Sequence, residues 1–360
     1  MLAFPLILPF FVSFISCAIL IALNHWMGIG VDKTTGVQKF HFYPTSRLGG
    51  VALMSGLTCS VLWMSNNSST THLFFIQFIL ASAPVFLAGT LEDITHKVAP
   101  SVRLILALIS SSLAYLHLDV MVIRTDVWLV DWLLQWPIFI YLLTILVISG
   151  FTHSINMIDG FNGLASGQTL LMLGFLSYLN YITNQLDLLS LSLPLFIITL
   201  GFFAWNWPFG KIFLGDGGAY LLGFCVVCLG LLLVCRSPNV SPFAPIMLGI
   251  YPLVETIFSM YRRLVIRGHS VTRPDALHLH SLIFRRVFKN RSSCANFQLM
   301  NSKVALFFWF LTFIYSGITS IYYKESNILF GLFFTYVFLY TWLFTQLIRF
   351  KTPRWIFFYL

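Results

Sequence analysis

Eleven long apolar stretches limit what this chain can fold into more than any other feature of its sequence. A helix needs roughly 20 apolar residues to cross about 30 Å of hydrocarbon. A soluble protein of this length does not contain so many apolar stretches. The sequence therefore predicts an all-α integral membrane protein with about eleven transmembrane helices. They lie near 4–28, 48–65, 72–91, 102–118, 132–150, 164–183, 188–204, 219–235, 243–261, 304–322 and 327–348.

The distribution of lysine and arginine predicts the orientation of these helices, because cytoplasmic loops carry an excess of basic residues. With a periplasmic N-terminus, the inside segments hold eighteen Lys and Arg residues, and the outside segments hold only Arg124, Arg236 and Lys324. The C-terminus is then cytoplasmic, and residues 1–360 form one membrane domain. A net charge of +9 on this pattern suits anionic lipids and substrates, and we expect no nucleic-acid partner. The cytoplasmic loops lie near 30–47, 92–101, 151–163, 205–218 and 262–303.

Seven acidic residues carry most of the functional information. Carboxylates from separate loops can converge on one face of a helical bundle and bind hard cations and phosphates. A transporter would place ionisable residues nearer the bilayer midplane, so the pattern favours chemistry at the cytoplasmic surface. A lipid-linked sugar carrier or flippase is the alternative function. Six of the seven lie in the cytoplasmic loops and one late in the ninth span: Asp32, Glu92, Asp93, Asp159, Asp216, Asp275 and, in the span, Glu255.

The first two cytoplasmic loops each allow two interpretations. In the first loop, Gly49 and Gly50 beside Arg47 either anchor a helix at the headgroups or bring backbone amides to a phosphate. In the second loop, Glu92 and Asp93 either end a helix in water or bind a metal-bound phosphate.

The other three loops contain the clearest motifs, read as NMIDGFNGLA, FLGDGGAY and RPDALHLH. Asp216 lies between glycines at the start of a helix, in what we take for a surface turn, where it suits metal binding better than packing. The pair His278 and His280 would suggest zinc, but neither Cys nor a third His is placed to complete a tetrahedral site. Binding of phosphate and sugar hydroxyls is the better interpretation.

The order and spacing of these five motifs resemble the polyprenyl-phosphate N-acetylhexosamine-1-phosphate transferases, the MraY/WecA-like family or bacterial glycosyltransferase family 4. The resemblance extends from Asp32 to about Arg286, with Glu92-Asp93 where the family usually has Asp-Asp and Asn162 where it often has Asp. It implies an enzyme of the bacterial inner membrane, with its active site on the cytoplasmic face. It also implies a UDP-sugar donor, an undecaprenyl or other polyprenyl phosphate acceptor, release of UMP, and a magnesium or manganese cofactor. Such an enzyme would initiate synthesis of a surface polysaccharide or cell-wall glycan, as a monomer or an oligomer.

The resemblance also assigns roles to individual residues. The catalytic residues are Glu92, Asp93 and Asp216: Asp216 binds the metal, Asp93 is a second or more distant ligand, and Glu92 takes the last acceptor proton or orients the acceptor. Direct attack by the acceptor and a two-step route through a carboxyl phosphate both stay open. The substrate-binding residues are Lys39, Asn156, Asp159 and Asn162 for the nucleotide, and Arg273, His278 and His280 for the donor's phosphate or sugar.

Overall fold

The structure is a computed structural model that describes residues 3–28, 30–32, 44–64, 69–266, 268, 275, 277–288 and 297–353. In this part of the chain two short strands, β1 (Val31–Asp32) and β2 (Thr45–Ser46), pair antiparallel, and the other elements are helical. The α-helices are α1 (Ala3–Met27), α2 (Gly49–Met64), α3 (Ser69–Thr95), α4 (Pro100–Leu118), α5 (Trp128–Leu133), α6 (Pro137–Ile158), α7 (Leu164–Ile182), α8 (Leu186–Asn206), α9 (Gly215–Arg236), α10 (Phe243–Leu248), α11 (Ile250–Tyr261), α12 (Leu279–Ile283), α13 (Phe297–Ile321) and α14 (Ser326–Ile348). Two π-helical turns, Arg262–Ile266 and Phe284–Phe288, continue α11 and α12.

Each of the eleven predicted apolar stretches coincides with helical structure. Among the described residues, eight helices are long and apolar enough to cross a membrane: α1, α3, α4, α6, α8, α9, α13 and α14. Helix α2 is apolar but shorter, α7 is not among the eight, and Gly249 divides the stretch 243–261 into α10 and α11. The all-α membrane fold is therefore confirmed, while the count of eleven spans and the orientation of the termini stay predictions.

Helix α9 forms the centre of the bundle. Its spanning window is 83% buried, whereas that of α1 is 17% buried, because α9 packs mainly between α3 and α6. A helix that is apolar on every side is stable only when other helices or lipid surround it. The surrounding helices therefore fix the N-terminus of α9, where Asp216 lies, at the middle of one end of the bundle.

Glycines allow three helices to meet at this end. A Cβ atom added to Gly50 of α2 would lie 2.3 Å from the backbone nitrogen of Gly218. A Cβ atom added to Gly89 of α3 would lie 2.4 Å from the backbone nitrogen of Gly217. Small residues commonly let membrane helices approach to backbone contact. The ends of α2 and α3 are therefore held directly against the first turn of α9.

Main-chain hydrogen bonds reinforce this contact. The N–H of Gly49 donates to the carbonyl of Phe213 at 3.1 Å, and the N–H of Gly50 donates to that of Leu214 at 3.0 Å. These two amides bind the segment that precedes α9. The interpretation that they bind a phosphate is therefore wrong, and their glycines serve the close packing of helices.

Candidate active site

Four of the predicted cytoplasmic loops meet at the end of the bundle where α9 begins. Helices α3 and α6 end there, and α2, α4 and α9 start there. Chain segments far apart in sequence thus bring acidic and basic side chains into contact, as the carboxylate pattern predicted. Six of them form what we call the charged cluster: Asp32, Arg47, Asp93, Arg103, Asp159 and Asp216.

Arg47, between β2 and α2, lies at the centre of the charged cluster. Its Nη2 is 3.0 Å from Oδ1 of Asp216, its Nε is 3.2 Å from Oδ1 of Asp93, and its Nη1 is 3.7 Å from Oδ1 of Asp32. Burial alone would lower the pKa of Arg47, but Asp93, Asp216, Asp32 and Asp159 together raise it above its ordinary value. One guanidinium therefore holds carboxylates from three separate parts of the chain.

Asp216 has a second cationic partner. Nη1 of Arg103, in the first turn of α4, donates to its Oδ2 at 2.5 Å, so each carboxylate oxygen of Asp216 faces a guanidinium. The residue is only 7% exposed. The expectation that Asp216 lies in a surface turn is therefore wrong, because α2, α3 and α4 cover the turn. Sequence reasoning counted Arg47 and Arg103 only as part of the basic cytoplasmic face.

Asp93 holds the N-terminus of α9 in place. Its two carboxylate oxygens accept the backbone N–H groups of Asp216 and Gly217, each at 2.9 Å. A negative charge at a helix N-terminus is favourable, because the first amide groups have no partner within the helix. Gly215 makes the contact feasible: its φ is +72°, and a Cβ atom there would lie 2.5 Å from Oδ2 of Asp93. The structure thus gives Asp93 a positioning role, and its role as a metal ligand stays a prediction.

Glu92 lies beside the charged cluster. Its Oε2 accepts the N–H of Val98 at 2.8 Å and so closes the turn between α3 and α4. The side chain is partly exposed and close enough to Arg103 to interact with it electrostatically. Glu92 is therefore adjacent to the predicted reaction centre, at its solvent-facing edge.

Asp159 follows α6 and completes the charged cluster. Burial is the largest cause that raises its pKa, to about 7; Asp216 and Asp32 raise it further, whereas Arg47 and the N–H of Gly215 oppose the shift. Burial of the carboxyl is thus the main reason why Asp159 keeps its proton up to near neutral pH.

The charge and geometry of the cluster bear on the predicted metal. When all four carboxyl groups are ionised, they exceed the two guanidinium groups by two negative charges, which a divalent cation would balance. Within the described residues there is no group of three or more His, Cys, Asp or Glu side chains that could hold a metal. Magnesium, however, usually binds proteins through one or two carboxylates and takes its other ligands from water and substrate phosphates. The chemistry of the cluster therefore fits a magnesium ion that binds together with a substrate.

Polar side chains extend the cluster along α6 and α9. The side chain of Tyr220, one helical turn after Asp216, is close enough to Asn156 and Arg103 to interact with both. The ring of His153 lies 5.0 Å from that of Tyr220. Asn156 was predicted as a nucleotide ligand, and it does lie next to the cluster. Sequence reasoning missed Tyr220 and His153, although their spacing from Asp216 and Asn156 along helices was a usable signal.

Asn162 is only 6% exposed. Its backbone N–H donates to Oδ1 of Asn301 at 2.8 Å, and its Nδ2 donates to the carbonyl of Pro208 at 3.3 Å. These bonds connect the loop after α6 to α13 and to the loop after α8. Both bonds join Asn162 to other segments of the protein, so nucleotide binding by this residue stays a prediction.

A second group of polar side chains lies beside the Asp159 loop. Nδ1 of His278 lies 3.0 Å from Oε1 of Glu255, and Nδ1 of His280 lies 2.9 Å from the hydroxyl of Tyr251. Both rings are less than 5% exposed, at 4% and 3%. Burial lowers the pKa of His280 to about 3, so this ring is neutral at physiological pH. The ring of Phe161 lies edge-on to it at 5.5 Å.

Asp275 anchors the same loop. Its carboxylate pairs with Arg262 and lies 3.4 Å from Nε of Arg263. Burial would raise the pKa of Asp275, but Arg262 and the N–H of Leu277 lower it below its ordinary value. The two remaining predicted substrate ligands, Lys39 and Arg273, lie outside the described residues.

Comparison with known proteins finds similarity to a glycosyl transferase family and to proteins named as sugar 1-phosphate transferases. The model of glycosyl transferase family 4 matches residues 75–234, a segment that contains Asp93, Asp159 and Asp216. A probable undecaprenyl-phosphate N-acetylglucosaminyl 1-phosphate transferase of Bacillus subtilis (strain 168) is 28% identical over 345 residues, covering 92% of this chain and 88% of the relative.

Two further relatives carry the name undecaprenyl-phosphate alpha-N-acetylglucosaminyl 1-phosphate transferase. The Yersinia pestis protein is 25% identical over 291 residues, which are 77% of this chain and 76% of the relative. The Thermotoga maritima protein is 28% identical over 274 residues, which are 75% of this chain and 79% of the relative. The similarity to whole proteins thus extends well beyond the segment that the family model matches.

Proposed function

We propose that this chain is a member of glycosyl transferase family 4, and that it transfers a sugar 1-phosphate from a UDP-sugar to a polyprenyl phosphate and releases UMP. The observation that carries the proposal is the charged cluster, in which Asp216 lies between Arg47 and Arg103 at one end of a membrane bundle. The names of the relatives support undecaprenyl phosphate as the acceptor and N-acetylglucosamine 1-phosphate as the transferred group.

The reaction brings two anions together, so the protein must position phosphates and neutralise their charge. Arg47 and Arg103 are suited to this task because guanidinium groups bind phosphate oxygens through paired hydrogen bonds. Their carboxylate partners keep both side chains extended toward the same point. A donor diphosphate that reaches Asp216 would therefore meet two oriented cations.

We propose magnesium as the cofactor, with manganese as a substitute of similar ligand preference. Asp216 would hold the metal, and Asp93 would support it as a second or more distant ligand, as the excess negative charge of the cluster favours. When bound, the ion supplies positive charge that polarises the donor diphosphate. Asp93 contributes in either case, because it fixes the turn that carries Asp216.

The acceptor phosphate needs little activation. The second pKa of a phosphate monoester is about 6, so its oxygen is largely ionised near neutral pH. That oxygen attacks the phosphorus bonded to the sugar, the bond from this phosphorus to the UMP oxygen breaks, and UMP leaves with the bonding electrons. Glu92, at the solvent-facing edge of the cluster, takes the last acceptor proton or orients the acceptor.

We propose that the site faces the cytoplasm. The loops that the charge distribution assigns to the cytoplasm are the loops that carry the charged cluster, which supports this orientation. Cysteines introduced near residues 97 and 211 should react with an impermeant thiol reagent only from the cytoplasmic side. Labelling of both positions from the periplasm of intact cells would contradict the orientation.

Release of UMP is the decisive test of the function. Purified full-length protein in lipid nanodiscs, given UDP-N-acetylglucosamine, undecaprenyl phosphate and magnesium, should release UMP and form a lipid-linked sugar diphosphate. Omitting the acceptor should stop net product formation, and chelating the metal should reduce the rate. A carrier or flippase would instead move a lipid-linked sugar between leaflets without producing UMP.

A further inference from the structure

Glu255 is a buried carboxylate that the reaction described above does not use. It lies on α11 and is 0% exposed. Its Oε1 lies 3.0 Å from Nδ1 of His278, and its two oxygens accept the N–H of Leu279 at 3.3 and 3.2 Å. A buried carboxylate is costly unless it is paired and hydrogen-bonded. An apolar side chain would serve packing better, so the effect of Glu255 should be sought in His278.

Helix α11 orients a second histidine in the same way. Tyr251, one helical turn before Glu255, is hydrogen-bonded to Nδ1 of His280. The rings of His278 and His280 are parallel within 7°, with centroids 5.2 Å apart. Because both Nδ1 atoms are bound by the same face of α11, both Nε2 atoms lie on the side of the rings away from that helix.

This side of the histidines meets the charged cluster at one loop. Nε2 of His280 lies 3.4 Å from the position that a Cβ atom on Gly160 would occupy. The residue before Gly160 is Asp159, which belongs to the charged cluster. The Nε2 edge of His280 therefore borders the loop that carries Asp159, and the parallel ring of His278 lies 5.2 Å from that of His280.

We propose that Glu255 is a positioning residue that holds His278 with Nδ1–H toward the carboxylate and Nε2 toward a phosphate of the sugar donor. This inference rests on the proposed function. An ionised carboxylate only accepts hydrogen bonds, so the bond requires a proton on Nδ1 and leaves Nε2 to face the substrate. When Nε2 is also protonated, Glu255 balances the charge of the ring, and the ring donates a charge-assisted hydrogen bond to a phosphate oxygen.

The competing explanation is that Glu255 only ties the loop of His278 to α11. A double-mutant cycle separates the two, because residues that act through each other are not additive. The full-length protein would carry Glu255→Gln, Glu255→Asp, His278→Ala and the double substitution Glu255→Gln with His278→Ala. Thr256→Val is the matched control. Thr256 is the residue after Glu255 on α11, and its hydroxyl has no hydrogen-bond partner among the described residues.

Two readouts are measured on each variant. The first is kcat and KM for UDP-N-acetylglucosamine from UMP release, and the second is binding of that donor from the rise in Tm that it causes. Glu255→Gln should lower kcat/KM about thirtyfold, which corresponds to about 2 kcal/mol, and should weaken donor binding. Glu255→Asp should recover most of the loss, and Thr256→Val should match the wild type.

In the His278→Ala background, Glu255→Gln should change kcat/KM less than threefold. A full thirtyfold further loss there, or unchanged donor binding and kcat/KM in Glu255→Gln alone, would overturn the inference. Absence of UMP release from the wild type would instead contradict the proposed function. In that case the binding measurements still test the role of Glu255, since they need no turnover.

Discussion

Asp216→Asn is the most informative single substitution. It preserves the size of the side chain but removes the negative charge that faces both Arg47 and Arg103. Both guanidinium groups then lose an anionic acceptor, and one of them faces an amide N–H group in its place. If Asp216 holds the metal, the variant loses about 3 kcal/mol or more of stabilisation of the reacting diphosphate. Since each 1.36 kcal/mol is a factor of about ten, the rate should fall at least a hundredfold.

The same geometry predicts a cost in stability. Removing one partner of a buried ion pair costs about 3–5 kcal/mol when the other charge is left alone. Here the loss should be smaller, because Arg47 keeps Asp93 and Asp32 as partners. We therefore expect a folded protein with a Tm a few degrees lower, and not an unfolded one.

The assay measures UMP release over a magnesium titration, with Tm measured on the same samples. Asp187→Asn is the control, because Asp187 lies in the first turn of α8, far from the cluster, and should leave both rate and metal dependence unchanged. The reasoning would be refuted by a well-folded Asp216→Asn variant with near-normal activity and the same dependence on magnesium. The metal would then be held elsewhere.

Three further predictions follow from the cluster and its support. Gly50→Ala should sharply lower the yield of monodisperse protein, because the new Cβ would meet the backbone of Gly218, whereas Gly317→Ala, with nothing within 4 Å, should not. The pKa of Asp159 is 3.8 in the unfolded chain and about 7 in the fold, so the folded state binds its proton more tightly. In metal-free protein, the free energy of unfolding should therefore decline as pH rises from about 4 to about 7. Asp159→Asn should remove that decline in thermal unfolding measured with a chelator. UMP and UDP should inhibit the wild type much more strongly than CMP or GDP, and equal inhibition by all four would contradict uridine recognition.

The sequence was sufficient to predict the helices and the convergence of their loops. Apolar length predicts a membrane helix because the bilayer has a fixed thickness. Acidic residues in otherwise apolar surroundings mark function because burial of charge is costly. These two rules are sufficient to group Asp93, Asp159 and Asp216 from the sequence alone.

The partners of those carboxylates were not predictable in the same way. Arg47 and Arg103 lie among the many basic residues of the predicted cytoplasmic loops, and the orientation rule accounts for such residues without any functional site. Which arginine meets which aspartate depends on how closely α2, α3 and α9 approach, and this depends on glycine contacts between residues far apart in sequence. For the same reason the burial of Asp216 was missed, since its neighbours in the sequence are glycines that suggest an exposed turn.

The backbone contacts of Gly50 and Gly89 with α9 have a practical consequence for anyone who wishes to redesign this enzyme. On the arginine side of the Asp159 loop, the backbones of α2 and α3 contact the backbone of α9. A new side chain there would clash, and separation of these helices would displace Asp216. On the histidine side, His278 and His280 contact Glu255 and Tyr251 through side chains, so substitutions there do not require main chain to move. Libraries that aim to change the transferred sugar should therefore vary the histidine side and leave the arginine side intact.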